Sequence, residues 1–150
     1  MQEALKEAKK AGSIGEVPVG AVVVLQDKII AKGANQVELL QDATAHAEIL
    51  CITAASSFLK NWRLEGATIY TTLEPCLMCA GAIYAARIKR VIWGARDIRL
   101  GANGSWIDIF QKKHPMHSVE IIGEVLQEEC GALLTEFFQK RRRENARAIR

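Results

Sequence analysis

The sequence predicts an α/β fold, a mixed five-stranded sheet that helices cover on both faces. Three observations predict it. An apolar β-branched hairpin follows a first helix, strand and helix patterns then alternate, and 49% of the 150 residues are hydrophobic. Charged residues make up 25% of the chain, an ordinary globular value that excludes disordered, collagen-like and coiled-coil proteins. The length fits one domain spanning residues 1–150.

The first part of the chain predicts a helix, a hairpin and a second helix. Apolar residues at helical spacing form the first helix, and Gly12 closes it. The run Val17–Leu25 is almost continuously apolar, which indicates a strand buried on both faces. A polar turn leads into a second strand, Ile29–Gly33, which pairs with the first. After a polar, irregular stretch, Thr44 caps a helix that extends to about Phe58.

The second part predicts three strands and two helices. The strands are Ala67–Thr72, Val91–Ala95 and a short one at Val119–Ile122. Pro75 opens a helix at its favoured first position, and that helix extends to about Arg87. The last helix carries an apolar stripe and then enters the basic end of the chain; the stripe consists of Leu126, Cys130, Leu133, Leu134 and Phe137.

The net charge of +3 is unevenly distributed along the chain. Residues 140–150 carry six basic side chains and one acidic side chain, a net of +5. The preceding 139 residues therefore carry 14 basic and 16 acidic side chains, a net of −2. A basic block at the end of a helix is typical of a solvated helix end, but also of a nucleic-acid-binding surface.

Hydropathy indicates a soluble protein. No apolar run approaches the ~18 residues that a membrane span needs. The first residues are charged and contain no apolar signal core. We therefore expect a cytoplasmic protein with no membrane partner.

The four cysteines divide into a motif and two isolated residues. Cys76 and Cys79 form a C-x-x-C pair near a predicted helix start, where the helix dipole and free N–H groups favour thiolate, the metal-binding form. In a cytosolic chain such a pair is metal-binding or redox-active. Cys51 and Cys130 lie in apolar helical patterns, and we expect both to be small buried side chains.

His46 is the best candidate for a third ligand. His114 and His117 lie in a polar stretch and are interpreted as solvated loop residues. His46 lies at a predicted helix start and is followed two residues later by Glu48, in a helix that is otherwise apolar. A buried carboxylate is costly unless it is paired or functional. The spacing permits both side chains to reach one site without proving that they do.

One histidine and two cysteines are the pattern of a catalytic zinc site, in which a fourth position stays open for water. Zinc lowers the pKa of bound water from about 15.7 towards ~7. A carboxylate that is not a ligand can move the proton of that water, and Glu48 fits this role. The sequence therefore predicts one zinc ion per subunit, held by His46, Cys76 and Cys79, with Glu48 as the catalytic acid and base.

These residues resemble the H-x-E and P-C-x-x-C signature of zinc nucleobase deaminases. The match is closest to the bacterial tRNA-specific adenosine deaminases, and it extends from the first helix to Phe137 and Phe138. The segments that carry it are residues 16–21, 73–82, 94–97 and 101–105. The resemblance implies a three-layer α/β/α cytidine-deaminase-like fold, a homodimer, and hydrolytic conversion of the wobble adenosine of a tRNA anticodon to inosine.

The resemblance also implies roles for individual positions. Val19 and Asn35 would touch the nucleotide flipped out of the anticodon loop. Ala47 and Pro75 would line its pocket, and Asp97 would lie beside the neighbouring nucleotides.

Further RNA contacts are suggested by charge and aromatic character. Arg96 and Arg99 are candidates to hold phosphates, although solvated surface charge is an equal alternative. Phe137 and Phe138 cannot share one helix face, so we expect one in the core and Phe138 at a base or a dimer contact. The basic end, with Arg141 and Arg142, is a candidate arm for the anticodon stem.

Three other functions remain open. A free-base or nucleoside deaminase, such as a guanine deaminase, would share the fold and the zinc site. A non-catalytic zinc-stabilised RNA-binding module would have no use for Glu48. A redox function of Cys76 and Cys79 would require neither His46 nor Glu48 and is the weakest of the three.

Overall fold

In the computed structural model, which describes residues 1–149, strands and helices alternate after an opening hairpin. The strands are β1 (Gly20–Leu25), β2 (Lys28–Ala34), β3 (Thr68–Leu73), β4 (Arg90–Ala95) and β5 (Glu120–Ile122). The helices are α1 (Gln2–Ser13), α2 (Val37–Leu40), α3 (Ala47–Leu59), α4 (Leu77–Ala85) and α5 (Gln127–Ala148). None of the helices described within residues 1–149 is long and apolar enough to cross a membrane.

The strands form one mixed sheet in the order β2-β1-β3-β4-β5. β1 pairs antiparallel with β2 and β3, whereas β3 pairs parallel with β4, and β4 with β5. Gln26 and Asp27 form the hairpin turn with φ angles of 50° and 60°, as a two-residue hairpin requires. The predicted five-stranded mixed sheet is confirmed.

Two glycines show that helices cover both faces of the sheet. A Cβ atom at Gly33 would collide with the backbone of α3, and one at Gly20 would collide with the backbone of α1. Gly33 pairs with Ala21, the neighbour of Gly20, so the two glycines face opposite sides of the sheet. α3 and α4 form one layer, and α1 and α5 form the other. The predicted α/β/α architecture is therefore confirmed.

Both predicted starts of the site helices are wrong by two or three residues. α3 begins at Ala47, and Thr44 instead donates a hydrogen bond from Oγ1 to Asp42 (2.7 Å). α4 begins at Leu77, so Pro75 precedes the helix. The N-cap positions belong to His46 and Cys76, both in extended backbone. The side chains of His46 and Cys76 therefore belong to the residue immediately before each helix.

Three smaller differences have local causes. α1 continues past Gly12 to Ser13, and the left-handed turn after it falls on Gly15 (φ 85°). The stretch predicted as irregular contains α2. This helix forms because the carboxylate of Glu16, distant in the sequence, accepts hydrogen bonds from the amides of Glu38 and Leu39. Leu126 precedes α5 as its N-cap, with a φ of 53°.

Candidate active site

The N-terminal ends of α3 and α4 bring three metal-ligating side chains together. His46, Cys76 and Cys79 offer one ligand atom each, and these atoms lie within 4.8 Å of one another. Nδ1 of His46 is 3.6 Å from Sγ of Cys76 and 3.5 Å from Sγ of Cys79. His46 is 30 residues from Cys76 along the chain, so the packing of α3 beside α4 on one face of the sheet sets this geometry.

Two of the three distances between these ligand atoms fit a tetrahedral zinc ion. Zn–N and Zn–S bonds of about 2.05 Å and 2.3 Å give a tetrahedral N···S edge of about 3.6 Å. Both observed N···S distances agree with that edge. The donor set of one imidazole and two thiolates also suits zinc.

Contacts among the three side chains shift their pKa values in different directions. Hydrogen bonding, first from Cys79 and then from His46, lowers the pKa of the Cys76 thiol to about 4. The same pairing with Cys76 raises the pKa of Cys79. The hydrogen bond with Cys76 also raises the pKa of the His46 imidazole. These contacts therefore favour the thiolate form of Cys76, which is the form that binds a cation.

Glu48 lies beside the three ligand atoms in the first turn of α3 and is 3% exposed. One of its oxygens accepts a hydrogen bond from Thr71 Oγ1 (3.1 Å), and the other accepts from Cys79 Sγ (3.5 Å). Burial raises the pKa of this carboxyl. The carboxyl is thus held next to the metal-ligating atoms in surroundings that favour its protonated form more than water does.

A cavity of about 340 Å³ opens over the metal-ligating atoms. This volume lies at the lower end of the range for small-molecule sites. Its walls contain ten of the residues predicted for the site: Val19, Asn35, His46, Ala47, Glu48, Cys76, Arg96, Asp97, Arg99 and Phe138.

Asn35 presents an unused acceptor in this cavity. Its Nδ2 donates to the carbonyl of Val17 (3.2 Å), which orients the amide. Its Oδ1 is buried and has no hydrogen-bond partner among residues 1–149. A buried acceptor without a partner is costly, so Oδ1 is suited to a donor on a bound molecule.

Arg96 and Arg99 differ although both line the cavity. Arg96 donates to Glu74 (3.3 Å) and to Glu124 (3.1 Å). These ion pairs give Arg96 an intramolecular role, which neither of the two interpretations, phosphate contact or solvated surface charge, includes. Arg99 is exposed on a turn whose amides bind the carboxylate of Asp97 (3.2 Å), and it remains a candidate for phosphate.

Three predicted substrate residues lie off the cavity wall. Pro75 is buried behind it, and its carbonyl accepts a hydrogen bond from the Ala102 amide (2.8 Å). Arg141 donates to the carbonyl of Gly15 (2.6 Å), and Arg142 is exposed further along α5. Of the predicted basic end, Arg150 lies outside the described residues.

The two phenylalanines of α5 differ from the prediction. The sequence predicts one of them, Phe137, in the core and Phe138 at a base or a dimer contact. In the structure both side chains are only half-buried. Phe138 lines the cavity, and Arg141 covers the ring of Phe137 at 5.3 Å. α5 lies at the surface here, so no second layer encloses either ring.

The other histidines and cysteines lie outside the metal-ligating group. The expectation of solvated loop histidines is wrong, since His114 stacks on Tyr84 (4.5 Å between ring centroids) and His117 contacts the carbonyl of Ile88 (2.8 Å). Both contacts come from a loop that folds back over the end of α4. Cys51 and Cys130 are buried, as predicted.

Sequence reasoning missed two buried carboxylates on the cavity wall. Glu16 is 2% exposed and accepts hydrogen bonds from the amides of Leu39 (2.6 Å) and Glu38 (3.3 Å), which begin α2. Glu74 is 1% exposed and accepts hydrogen bonds from the Asn103 amide (3.1 Å) and from Ser105 Oγ (2.6 Å). Their position in or next to apolar sequence, like that of Glu48, was the available signal.

Known proteins share this fold and this motif set. Residues 1–95 match the family model described as the cytidine and deoxycytidylate deaminase zinc-binding region. A tRNA-specific adenosine deaminase of Bacillus subtilis is 47% identical over 148 residues, which cover 99% of this chain and 92% of the relative. This match spans nearly the whole of both chains.

Solved structures give the same result. One, from studies of A-to-I editing by tRNA:A34 deaminases at the wobble position of transfer RNA, matches with a TM-score of 0.86 and 43% identity. It covers 89% of this chain and 97% of the other. A guanine deaminase from Bacillus subtilis matches with a TM-score of 0.63 and 33% identity, over 95% of this chain and 90% of the other. The matching zinc-binding region and the His-Cys-Cys group together confirm the predicted zinc cofactor.

Proposed function

The chain belongs to the cytidine and deoxycytidylate deaminase family, and on that premise we propose that it converts the wobble adenosine of a tRNA anticodon to inosine. The observation that carries the proposal is the 47% identity, over nearly the full length of both chains, with a tRNA-specific adenosine deaminase. The reaction is a hydrolysis that adds one water molecule and releases one ammonia molecule.

His46, Cys76 and Cys79 would hold the zinc ion, and the zinc would supply the Lewis acid chemistry that activates water. Glu48 takes a proton from the water that attacks C6 of adenine. The same carboxyl then delivers that proton to N1, the ring nitrogen beside C6, takes a second proton from the oxygen newly bonded to C6, and passes it to the amino nitrogen. The C6–N bond breaks, ammonia leaves, and the C6–O bond becomes the carbonyl of inosine. The raised pKa of Glu48 suits a group that must both accept and return a proton.

The cavity receives a base that has left its stack. Because C6 of a stacked adenine cannot reach the metal-ligating atoms, the substrate is a single-stranded loop whose target nucleotide is extruded. Val19 and Ala47 provide apolar wall, and the unpaired Oδ1 of Asn35 accepts a hydrogen bond from the nucleoside. Asp97 and Arg99 lie at the wall contributed by the loop after β4, where neighbouring nucleotides would pass.

A guanine deaminase function is the second candidate, supported by the solved guanine deaminase that is 33% identical to this chain. The deciding experiment incubates the purified protein with unmodified tRNA and sequences the product. Inosine at the wobble position, without ammonia release from free guanine, supports the proposal. Ammonia from guanine with unchanged tRNA contradicts it.

We also propose that the protein is a cytoplasmic single-domain homodimer whose subunits meet through the outer face of α3 and α4. α4 contains no charged residue, and α3 contains only the buried Glu48. Phe58 and Leu77 are 66% and 41% exposed on these helices. A large uncharged exposed face is typical of an interface between proteins.

Replacing Gly81 by arginine should separate the two subunits. A Cβ atom at Gly81 meets no other atom within 4 Å, so the single chain tolerates a side chain there. A charged side chain in an apolar interface would remain unpaired and oppose association. Light scattering should report twice the 16.6 kDa chain mass for the unaltered protein and one chain mass for Gly81→Arg.

The control for this variant is Ala132→Arg, an exposed position on α5 in the opposite helix layer. It should leave the dimer intact. A dimeric Gly81→Arg protein would contradict the proposed interface, and a monomeric unaltered protein would contradict the dimer.

The basic end of α5 should contribute to tRNA binding through charge. It is helical and exposed up to Ala148, and it begins beside the residues of α5 that line the cavity. Removing residues 141–150 should weaken tRNA binding by about tenfold at physiological salt, because fewer counterions are released. Zinc content should not change.

A triple alanine variant of Arg142, Arg143 and Arg147 tests charge without shortening the helix. Filter binding over a series of salt concentrations should show that tRNA affinity depends less steeply on salt for the truncated protein and for the triple alanine variant than for the unaltered protein. Equal affinity to the unaltered protein at every salt concentration would identify the basic end as a solvated helix end.

A further inference from the structure

Glu74 is a buried carboxylate that three donors from one loop surround. It follows β3 directly and lies two residues before Cys76. Its Oε1 accepts from Ser105 Oγ (2.6 Å) and from Arg96 Nη1 (3.3 Å). Its Oε2 accepts from the backbone amide of Asn103 (3.1 Å). A side chain that is 1% exposed therefore has hydrogen-bond partners at both oxygens.

All three donors belong to residues 96–105, which we call the β4 loop. The first part of this loop supplies one wall of the cavity through residues 96–100. Its second part returns to the metal-binding segment, where the Ala102 amide donates to the carbonyl of Pro75 (2.8 Å) and Gly101 forms a β-bridge with Cys76. The β4 loop is thus attached at its far end to the chain segment that carries a metal-ligating residue.

Gly101 shows how closely Glu74 approaches the loop. A Cβ atom at this position would overlap the Glu74 carboxylate, so the contact requires glycine. The neighbouring Asp97 stabilises the turn at the start of the loop by accepting from the amides of Arg99 and Leu100 (3.2 Å each). The loop therefore has its own local turn, and its second part is joined to Glu74 by hydrogen bonds from Asn103 and Ser105.

We propose that Glu74 is a positioning residue for the substrate: it holds the β4 loop so that Asp97 and Arg99 face the cavity. This inference rests on the proposed function and names a further residue for that reaction. Glu74 acts through the loop and has no contact with the reacting atoms. Its loss should impair substrate binding more than the chemical step.

The chemistry of the contact requires a carboxylate. Ser105, Arg96 and the Asn103 amide all donate, so both oxygens of residue 74 must accept. In a glutamine, the amide NH₂ group faces either Arg96 or the Asn103 amide, and two donors then oppose each other. Glu74→Gln keeps the volume of the side chain but removes at least one of these contacts, which tests the hydrogen bonds separately from packing.

The test compares Glu74→Gln with Glu124→Gln. Both variants remove a carboxylate that pairs with Arg96, but Glu124 is half exposed, and within residues 1–149 Arg96 is the residue of the β4 loop to which its side chain hydrogen-bonds. With an anticodon stem-loop RNA as substrate, Glu74→Gln should raise KM by about tenfold and change kcat less than threefold. Glu124→Gln should leave both constants close to those of the unaltered protein.

Hydrogen exchange provides a readout that needs no substrate. The amides of Ala102 and Asn103 should exchange faster in Glu74→Gln, with the zinc content still at one ion per chain. Ser105→Ala removes one of the three donors to Glu74, together with the hydrogen bond that Ser105 Oγ accepts from Arg96 (3.4 Å), and should show the same pattern to a smaller degree. The fold increase in KM of the double variant, Glu74→Gln with Ser105→Ala, should be smaller than the product of the two single fold increases, because both substitutions act on one contact.

Unchanged KM and unchanged exchange in Glu74→Gln would overturn the proposal. Loss of zinc and a fall in kcat in Glu74→Gln, together with unchanged KM and unchanged exchange in Ser105→Ala, would also overturn the proposal, since Glu74 would then support only the metal site. If the unaltered protein forms no inosine in RNA, the proposed function fails, and the exchange rates still decide whether Glu74 holds the loop.

Discussion

Replacing Glu48 by glutamine should lower the rate of tRNA deamination by about a thousandfold or more. Proton transfer by a positioned carboxyl contributes typically 10²–10⁴ to a rate, and here one group serves both the attack and the departure of ammonia. The amide has the same size and can still accept from Thr71, so the fold should persist. Single-turnover inosine formation measures the loss, and metal analysis should still find one zinc ion per chain.

Glu7→Gln is the matched control, since Glu7 is also a buried glutamate but pairs with Lys10 on α1, away from the cavity. This variant should deaminate tRNA within a fewfold of the unaltered rate. Full activity in Glu48→Gln would exclude the proposed role of Glu48. Inactivity together with loss of zinc would indicate that Glu48 supports the metal site instead of moving protons.

Replacing Cys79 by serine should remove both zinc and activity. The thiolate is one of three ligand atoms within 4.8 Å of one another, and a neutral hydroxyl is a poor substitute for it. With two ligands left, we expect less than about a tenth of the normal zinc content and inosine formation below detection. Metal analysis after dialysis gives the first number, and sequencing of the reacted tRNA gives the second.

Cys130→Ala is the control for this variant, because Cys130 is a buried cysteine on α5 outside the metal-ligating group. It should retain zinc and activity. Removing zinc from the unaltered protein with a chelator should abolish activity, and adding zinc should restore it. Undiminished inosine formation in zinc-free Cys79→Ser would contradict the proposed metal chemistry.

The metal-ligating residues could be identified from the sequence, but the reason for their convergence could not. The sequence places Cys76 and Cys79 in a C-x-x-C pair near a predicted helix start. In the structure Cys76 is an N-cap in extended backbone, and Cys79 lies in the first turn after it. His46 has the matching position before α3, so His46 and Glu48 do not have the opposed directions that an ideal helix gives residues two apart.

Arg96 shows the limit of reading charge from sequence. A basic residue on a loop suggests phosphate binding, but its partners Glu74 and Glu124 lie 22 and 28 residues away. No local pattern connects these positions. Glu16 is similar, since its hydrogen bond to the Leu39 amide spans 23 residues and accounts for a helix that the polar sequence around it did not predict.

By itself, the sequence determined the five strands and four of the five helices described within residues 1–149 to within a few residues, the mixed sheet, and the types of metal-ligating side chain. These follow from periodicity, spacing and residue chemistry, which act between near neighbours in the chain. Only the tertiary structure decided where the helices begin, that Phe138 lines the cavity, and that Glu74 and Arg96 hold the β4 loop. Those features depend on packing between distant segments, where burial of each charge requires a partner that the folded sheet brings within hydrogen-bond distance.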